Sequence, residues 1–536
     1  MKNLPRDNFT IGSRLFLSGI ALVYLIAFAS LWLQVEGLFG SEGIMPIERY
    51  FDRLASQENH WSYILHYPSL LWLDHFLKLG NTALHLICGT GLICSLLALF
   101  NFYRGISLLL CWLLYLSLVT LGSPFLSFQW DNLLLESGFL AIWLAGFRRQ
   151  DQQLSSFILF LLYLLLFRLM FFSGYVKLAS NDPVWWNLTS LSLHFETQPL
   201  PHALSWYFHQ LPIWFLKVST AIMFFIELVV PFFIFLGPRL RHTAGILFIG
   251  FMVMITLSGN YTFFNLLTIV LCLPLFDNSL YKLRLPGGWL TFLQKQNYSI
   301  PGKYTGLIQK VICGVMVTLA LITEGHRWLP FGQYPVVSQV YSFVRPFRAV
   351  NTYGLFSVMT KTRPEIIFEL STDGKDWEEL EFKWKPVRLD VPPNWVQPHQ
   401  PRLDWQLWFA GLYYERVLRV FHRQYGRTPE SYDEIHRFIY SNFRRTYHKH
   451  VWVHNFIQGI LIESRPVLQL ISDEDWPIGY TRIRAWLYDY HFTRTEYPWT
   501  NDQFPMTNDK PAVSKGNWWV RDNKRQLFPA FNLKEK

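Results

Sequence analysis

The sequence predicts a polytopic α-helical membrane domain of about nine spans, followed by a soluble α+β domain with a β-hairpin or small sheet and amphipathic helices. Three observations carry that prediction. Aromatic residues make up 18% of the 536 residues and charged residues only 16%, too few charges for an ordinary soluble chain of this length. Apolar runs long enough to span a bilayer recur through residues 1–323. Beyond Thr323 the pattern changes to strand-like alternation and amphipathic helix periodicity.

The apolar runs lie at 11–33, 80–100, 105–122, 132–146, 154–172, 213–236, 242–258, 262–276 and 306–322. The first, Ile11–Leu33, is as long as a spanning helix and lacks a small-residue cleavage site, so it reads as a retained helix. The run at 262–276 is short enough to be re-entrant. Basic residues alternate along the connections. Lys2, Arg6 and Arg14 open the first span, Arg104 follows the second, and Arg148 and Arg149 follow the fourth. Arg239 and Arg241 follow the sixth, and Lys282, Arg284, Lys295 and Lys303 the eighth. The intervening connections 123–131 and 259–261 hold no Lys or Arg. By the positive-inside rule the N-terminus is cytoplasmic. Residues 34–70, 123–131, 173–212 and everything after about 323 then lie on the far side, the lumen or periplasm.

Residues 324–400 read as a β-rich far-side domain. Ile366, Phe368 and Leu370 alternate with Glu365, Ile367 and Glu369. Leu380, Phe382 and Trp384 then alternate with Glu379, Glu381 and Lys383, and Asp373-Gly374 supplies a turn between them. A proline-rich extended segment follows. Residues 401–536 read as the helical and aromatic-rich part of the same domain, with amphipathic patterns at about 404–424, 432–446 and 452–471. From Trp476 onward aromatics and arginines continue without clear periodicity.

The formal net charge of +10 fits anchoring at a lipid surface; no Lys/Arg block, zinc spacing or RNA-binding signature points to nucleic acid. The five cysteines, Cys88, Cys94, Cys111, Cys272 and Cys313, all lie in apolar runs. A disulfide framework after residue 313 is therefore impossible, and no CxxC is present.

The far-side connection 173–212 is the organising stretch. It holds Lys177, Asp182, His194, Glu196, His202 and His209 among Trp185, Trp186 and Trp206, a mixture suited to the water–lipid boundary. Pro199 and Pro201 favour an extended chain, in which His194 and Glu196 point the same way and form an acid–base pair. The bland alternative is a hydrogen-bond network that shapes the loop. His194, Glu196, His202 and His209 match no zinc spacing, and we expect neither a metal nor a cofactor. Within the spans Asp131, Glu136, Arg168 and Glu227 are costly in lipid and need partners or a wet cavity; an ion pair of Glu136 or Asp131 with Arg168 is the simplest arrangement. Asn187 and Asn260 head acceptor sequons. No Walker loop, GxSxG elbow, HExxH or dinucleotide fingerprint is present.

QWDNLLLESGF (129–139), SGYVKL (173–178), LHFETQPLP (193–201), GNYTFFNLLTIVLCL (259–273) and HQPRLDWQLWFAGL (399–412) together resemble the lipase maturation factor family. ELSTDGKDWEELEFKWKP (369–386), RPVLQL (465–470), YHFT (490–493) and WWVRD (518–522) also resemble it, in collinear order over most of the chain. The resemblance implies a membrane-bound, chaperone-like maturation factor for exported or secreted client proteins; in animals the family resides in the endoplasmic reticulum membrane and serves secreted lipases. The absence of far-side cysteines and the compact length point instead to a bacterial inner-membrane member. Client-binding candidates are Trp185, Trp186, His194, Glu196, Trp405 and Trp408, with membrane lipid as a second partner and no nucleic acid. The alternative is a membrane-embedded enzyme acting on a lipid or quinone-like substrate, since the helical part is remotely similar to the membrane portion of vitamin K-dependent carboxylases. Its site would gather Lys177, His194, Glu196, Asp131 and Glu136.

Overall fold

A computed structural model describes residues 9–49, 65–147, 152–284, 298–299, 301–325, 334–473, 479–494 and 516–532. Lys2, Arg6, Arg148, Arg149, Lys295 and Trp476 lie outside the described residues. Among the described residues, seven helices are long and apolar enough to cross a membrane: α1 (Thr10–Trp32), α2 (Asn81–Leu99), α3 (Arg104–Leu121), α5 (Ser156–Ala179), α6 (Ile213–Phe233), α7 (Pro238–Ser258) and α9 (Lys303–Gly325). The expectation of about nine is corrected by two shorter helices. α4 (Gln129–Ala145) has 17 residues. α8 (Phe264–Leu275) is shorter still, on the order of 18 Å at the helical rise.

The short α8 still joins the two ends of the bundle. Before it, Asn260 accepts the Val396 N–H (2.9 Å) and donates to the Asn394 carbonyl (2.9 Å), both in the C-terminal part. After it, Asn278 accepts the Ile11 N–H (3.0 Å) and donates to Thr10 Oγ1 (2.7 Å), at the opposite end.

The C-terminal part is built on a four-stranded antiparallel sheet of order β2-β1-β3-β4, with β1 at Pro364–Ser371, β2 at Glu378–Glu379, β3 at Arg482–Phe492 and β4 at Trp519–Phe531. The hairpin read at 364–384 is present, but β2 is only two residues long, pairing Glu379 with Glu369 and Glu378 with Leu370. The turn is longer than Asp373-Gly374 alone and occupies 372–377, where Asp373 Oδ1 accepts the N–H groups of Lys375 (2.8 Å) and Asp376 (3.1 Å). Gly374 sits at φ +80°, a conformation that favours glycine.

A boundary at 400 does not separate β from helix. Strands β3 and β4 come from the region that reads as helical and aperiodic, because their alternation is interrupted by buried Tyr488 and Tyr490 and by register shifts between Ile483 and Asp489. The amphipathic patterns do appear as helices: α10 (Arg402–Tyr425), α11 (Tyr432–Asn442), α12 (His448–Leu461) and α13 (Arg465–Ile471). The pattern at 452–471 is broken in two by Pro466 at the start of α13.

β1 is buried on both faces, although its sequence alternates. Ile366, Phe368 and Leu370 join a core that runs from Phe16 in α1 to Phe528 in β4. Ile367 belongs to a second cluster with Phe195, Leu216 and Tyr490, so the connection before α6 covers the other face. The charges on that face are buried too. Glu365 lies 2.8 Å from Arg363 and 3.0 Å from Lys385, and all three side chains are inaccessible. Close approach of α10 to β1 needs a residue without a side chain: a Cβ on Gly411 would strike the Pro364 carbonyl.

Candidate functional site

The connection 173–212 is helical around His194 and Glu196 rather than extended. Its helices are Pro183–Trp186, Leu191–Thr197 and Ala203–His209. Asp182 caps the first by accepting the Val184 N–H (3.0 Å), and His202 caps the last. Ser190 Oγ lies 3.4 Å from Thr220 Oγ1, so the connection packs along the side of α6 instead of floating beyond its end.

This corrects the expected His194–Glu196 pair. Two positions apart on a helix, the side chains diverge. The Glu196 carboxylate accepts the Phe492 N–H (3.1 Å), with His491 Nδ1 at 3.5 Å and His209 Nε2 at 3.6 Å. It ties the connection to the end of β3. Arg363 works beside it, donating to the carbonyls of Glu196 (2.9 Å), Pro199 (2.9 Å) and Gln198. His194 turns the other way. Its Nε2 meets the Tyr261 hydroxyl at 2.8 Å, and the Tyr261 hydroxyl donates to Gln198 Oε1 at 3.1 Å. Burial first, and the Lys177 charge second, push the His194 imidazole down to about 4, so it is neutral at physiological pH.

Lys177, in the last turn of α5, donates to both carboxylate oxygens of Glu227 on α6, each at 2.7 Å. Its ammonium lies 5.5 Å from the centre of the Trp185 ring. Lys177, Trp185, His194, Glu227, Tyr261 and Asn265 line one cavity of about 750 Å³ whose remaining walls are mostly apolar, with Ser173, Ser219, Ser258 and Thr268 among them. That volume is in the range of small-molecule sites. Ile222 of α6 and Ile246 and Met254 of α7 are both cavity lining and exposed side chains, so the cavity opens sideways through the apolar surface of the bundle.

The other intramembrane charges are not part of this cavity. Glu136 pairs with Arg168 at 2.7 Å, and its second oxygen accepts from Asn351 N (2.8 Å) and Tyr353 Oη (2.7 Å). Asp131 pairs with Arg402 and not with Arg168, and also accepts from Tyr115 Oη at 2.5 Å. Both carboxylates clamp the C-terminal part onto the bundle. Lys177 and His194 are thus brought together; Glu196, Asp131 and Glu136 sit elsewhere.

Of the aromatic candidates, Trp405 and Trp408 are buried, Trp408 donating to the Thr197 carbonyl at 3.0 Å. Both belong to the seam between bundle and sheet and are closed to a client in this conformation. Trp185 is buried in the cavity wall, whereas Trp186 is exposed. Asn260 is buried with its amide fully engaged and cannot serve as a glycan acceptor in the folded chain. His202 Nδ1 accepts the Leu204 N–H (3.2 Å) and its Nε2 meets the Thr256 carbonyl (3.1 Å), so it is spent on structure. Among the described residues no group of three His, Cys, Asp or Glu could hold a metal ion. The cavity residues that sequence reasoning left unassigned are Glu227, Tyr261 and Asn265. Glu227 carried a signal, an ionisable group in a span, but its partner lies 50 positions away.

Residues 11–283 match the lipase maturation factor transmembrane domain, and residues 349–427 match the lipase maturation factor C-terminal domain. The chain is 32% identical to lipase maturation factor 2 of Xenopus tropicalis, over 97% of this chain and 82% of that protein. It is 32% identical to lipase maturation factor 2 of Gallus gallus, over 97% and 81%. It is 29% identical to lipase maturation factor 1 of Mus musculus, over 99% and 89%. No solved structure matches the chain.

Proposed function

The chain belongs to the lipase maturation factor family, and on that premise we propose that it is a membrane-bound factor assisting the folding or assembly of an exported, lipase-like client. The observation that carries this reading is the extent of the likeness. Membrane domain and C-terminal domain both match, and the Xenopus tropicalis relative aligns over 97% of the chain, so neither half is borrowed from another context.

In this reading the N-terminus is cytoplasmic and the client meets the opposite face, in the endoplasmic reticulum lumen or the periplasm. The bundle geometry supports that orientation. Ser30 at the end of α1 bonds the C-terminal part through His399 (2.9 Å), as do the connections 123–131 and 259–261, which lack basic residues. Arg104, Arg239, Arg241, Lys282 and Arg284 gather at the other ends of the helices. The exposed indoles Trp186 and Trp395 are among the aromatic contacts available to a client. The enzyme alternative is not favoured. His194 and Glu196, on which its acid–base chemistry leaned, are in separate networks, and the Lys177 ammonium is held by both oxygens of Glu227.

The test is co-expression of a secreted lipase with the full-length chain in cells deleted for their own maturation factor. Secreted lipase activity per molecule of lipase is expected to rise. Unchanged activity, with the chain stably inserted, overturns the reading.

A further inference from the structure

We propose that the sideways-opening cavity between α5, α6 and α7 holds one hydrocarbon tail of a bilayer phospholipid, whose head group stays outside the protein at the membrane surface. The inference concerns the cavity alone and holds whatever client the soluble face handles.

The mouth is a slot between two helix stripes. Phe215, Ser219 and Ile222 lie at i, i+4 and i+7 on α6, and Ile246, Gly250 and Met254 lie at i, i+4 and i+8 on α7. All six line the cavity. Phe215, Ile222, Ile246, Gly250 and Met254 are also exposed. Both helices are long and apolar enough to be spans, so their exposed side chains face the hydrocarbon of the bilayer. The slot is open at Gly250, where a Cβ would meet nothing within 4 Å.

The direction and length of the cavity fit a lipid tail. Its lining on α7 runs from Ile246 to Ser258, about 18 Å at the helical rise, against about 15 Å for half of the hydrocarbon core. The cavity therefore follows the spans, as a tail does, through the depth of about one leaflet. That leaflet is the one beside the C-terminal part, since Gln397 Nε2 donates to the Thr256 carbonyl at 2.7 Å at the same end of α7. Trp214 and Lys217, both exposed in the first turns of α6, mark the level of the head groups next to Phe215. A lipid with its head at that level passes its tail along the slot from Phe215 toward Ile222.

The interior suits hydrocarbon. Leu169, Leu216, Met223 and Met252 are buried in the wall. Three lining hydroxyls are spent on their own helices: Ser173, Ser258 and Thr268 donate to the carbonyls of Leu169 (2.7 Å), Ile255 (3.1 Å) and Phe264 (3.0 Å). Lys177 and Glu227, the charged residues of the wall, are paired with each other. A tail moving in from the bilayer leaves one apolar medium for another, whereas a charged head group would have to give up its water.

The experiment uses full-length protein in phosphatidylcholine nanodiscs containing a small fraction of phosphatidylcholine with a diazirine in one tail. After irradiation the labelled residues are located by peptide mass spectrometry. Leu169 and Met223 are buried and open to a tail through the cavity, whereas exposed Leu307 and Val311 of α9 report the tails that surround the protein. Label is expected on both sets. Gly250→Trp places an indole in the mouth without a backbone clash. It is expected to remove the label from Leu169 and Met223 and to leave that on α9 unchanged. Oleate carrying the same diazirine, at the same mole fraction, is expected to label Leu169 and Met223 no more strongly than phosphatidylcholine does. The proposal is overturned by label on α9 with none on Leu169 or Met223, or by oleate labelling these two more strongly, which assigns the cavity to a free acid. It is also overturned by unchanged label on Leu169 and Met223 in a Gly250→Trp protein with wild-type thermal unfolding. The first two outcomes are read on the unmodified chain and decide the question even where the variant fails to fold.

Discussion

Arg402 and Asp131 lie 271 positions apart and form a two-point ion pair, Nη2 to Oδ1 at 2.9 Å and Nη1 to Oδ2 at 3.1 Å. The same guanidinium donates to the Phe125 carbonyl (2.7 Å). Asp131 opens α4 in the bundle and Arg402 opens α10 under the sheet, so one pair joins the two halves of the molecule. Both side chains are inaccessible to solvent. Arg402→Met leaves the Asp131 carboxylate buried without its counter-charge and is expected to cost about 3–5 kcal/mol. Adding Asp131→Leu removes the stranded charge and should recover more than half of that loss. Thermal unfolding of full-length protein in detergent checks both; a double variant no more stable than Arg402→Met counts against the pair as the seam's anchor.

Glu196 and His194 act in separate networks, one holding β3 and the other lining the cavity. Glu196→Ala leaves the buried Phe492 N–H without its acceptor and is expected to destabilise by about 1–3 kcal/mol. His194→Ala is expected to have an independent effect, so the double variant should equal the sum of the singles within about 0.5 kcal/mol. A larger interaction in a double-mutant cycle would restore the two residues to a common site.

The turn at 372–377 rests on Gly374. A Cβ there would strike the Arg482 guanidinium, and φ is positive. Gly374→Val is expected to destabilise the full-length protein by about 1–3 kcal/mol, read as a lower unfolding midpoint. An unchanged midpoint removes the turn from the determinants of the sheet.

Stability should fall in acid through His450. The ring is buried among Tyr414, Tyr432, Tyr447, His436 and His454, and His436 Nδ1 lies 2.9 Å from its Nε2. Burial first, then the charges of His436 and His454, push its imidazole down to about 3. The unfolded chain takes up that proton near pH 6.5 and the folded chain only near 3. The contribution is therefore whole above pH 6.5 and is lost as pH falls below it, at about 1.4 kcal/mol per pH unit. The unfolding midpoint should drop between pH 7 and pH 5, and His450→Phe should flatten that slope. An identical slope in the variant assigns the acid sensitivity to other groups.

Topology is tested by fusing a reporter active only in the cytoplasm after Lys536. A cytoplasmic N-terminus, with the C-terminal part against the far ends of α1, α3 and α7, requires that reporter to be silent. A strong signal inverts the orientation and moves the proposed client face to the cytoplasm.

Sequence alone determined the features that depend on neighbours in the chain. Apolar runs marked every helix of the bundle, because a span needs only length and hydrophobicity. Amphipathic periodicity marked α10 through α13, and Asp373-Gly374 marked the turn after β1. The collinear motifs marked the family. Tertiary structure decided what those residues are for. Asp131 and Glu196 read as candidates for chemistry but are fasteners, as are Asn260 and Arg402, because their partners lie far along the chain and no local pattern announces them. β3 and β4 were hidden because buried Tyr488 and Tyr490 and the register shifts between Ile483 and Asp489 interrupt the alternation that identifies a strand. The segment around His194 and Glu196 read as extended because Pro199 and Pro201 follow it and its helix is shorter than any periodic signal. The cavity was invisible for the same reason: Lys177, Asn265 and Glu227 line one space only when α5, α6 and α8 meet.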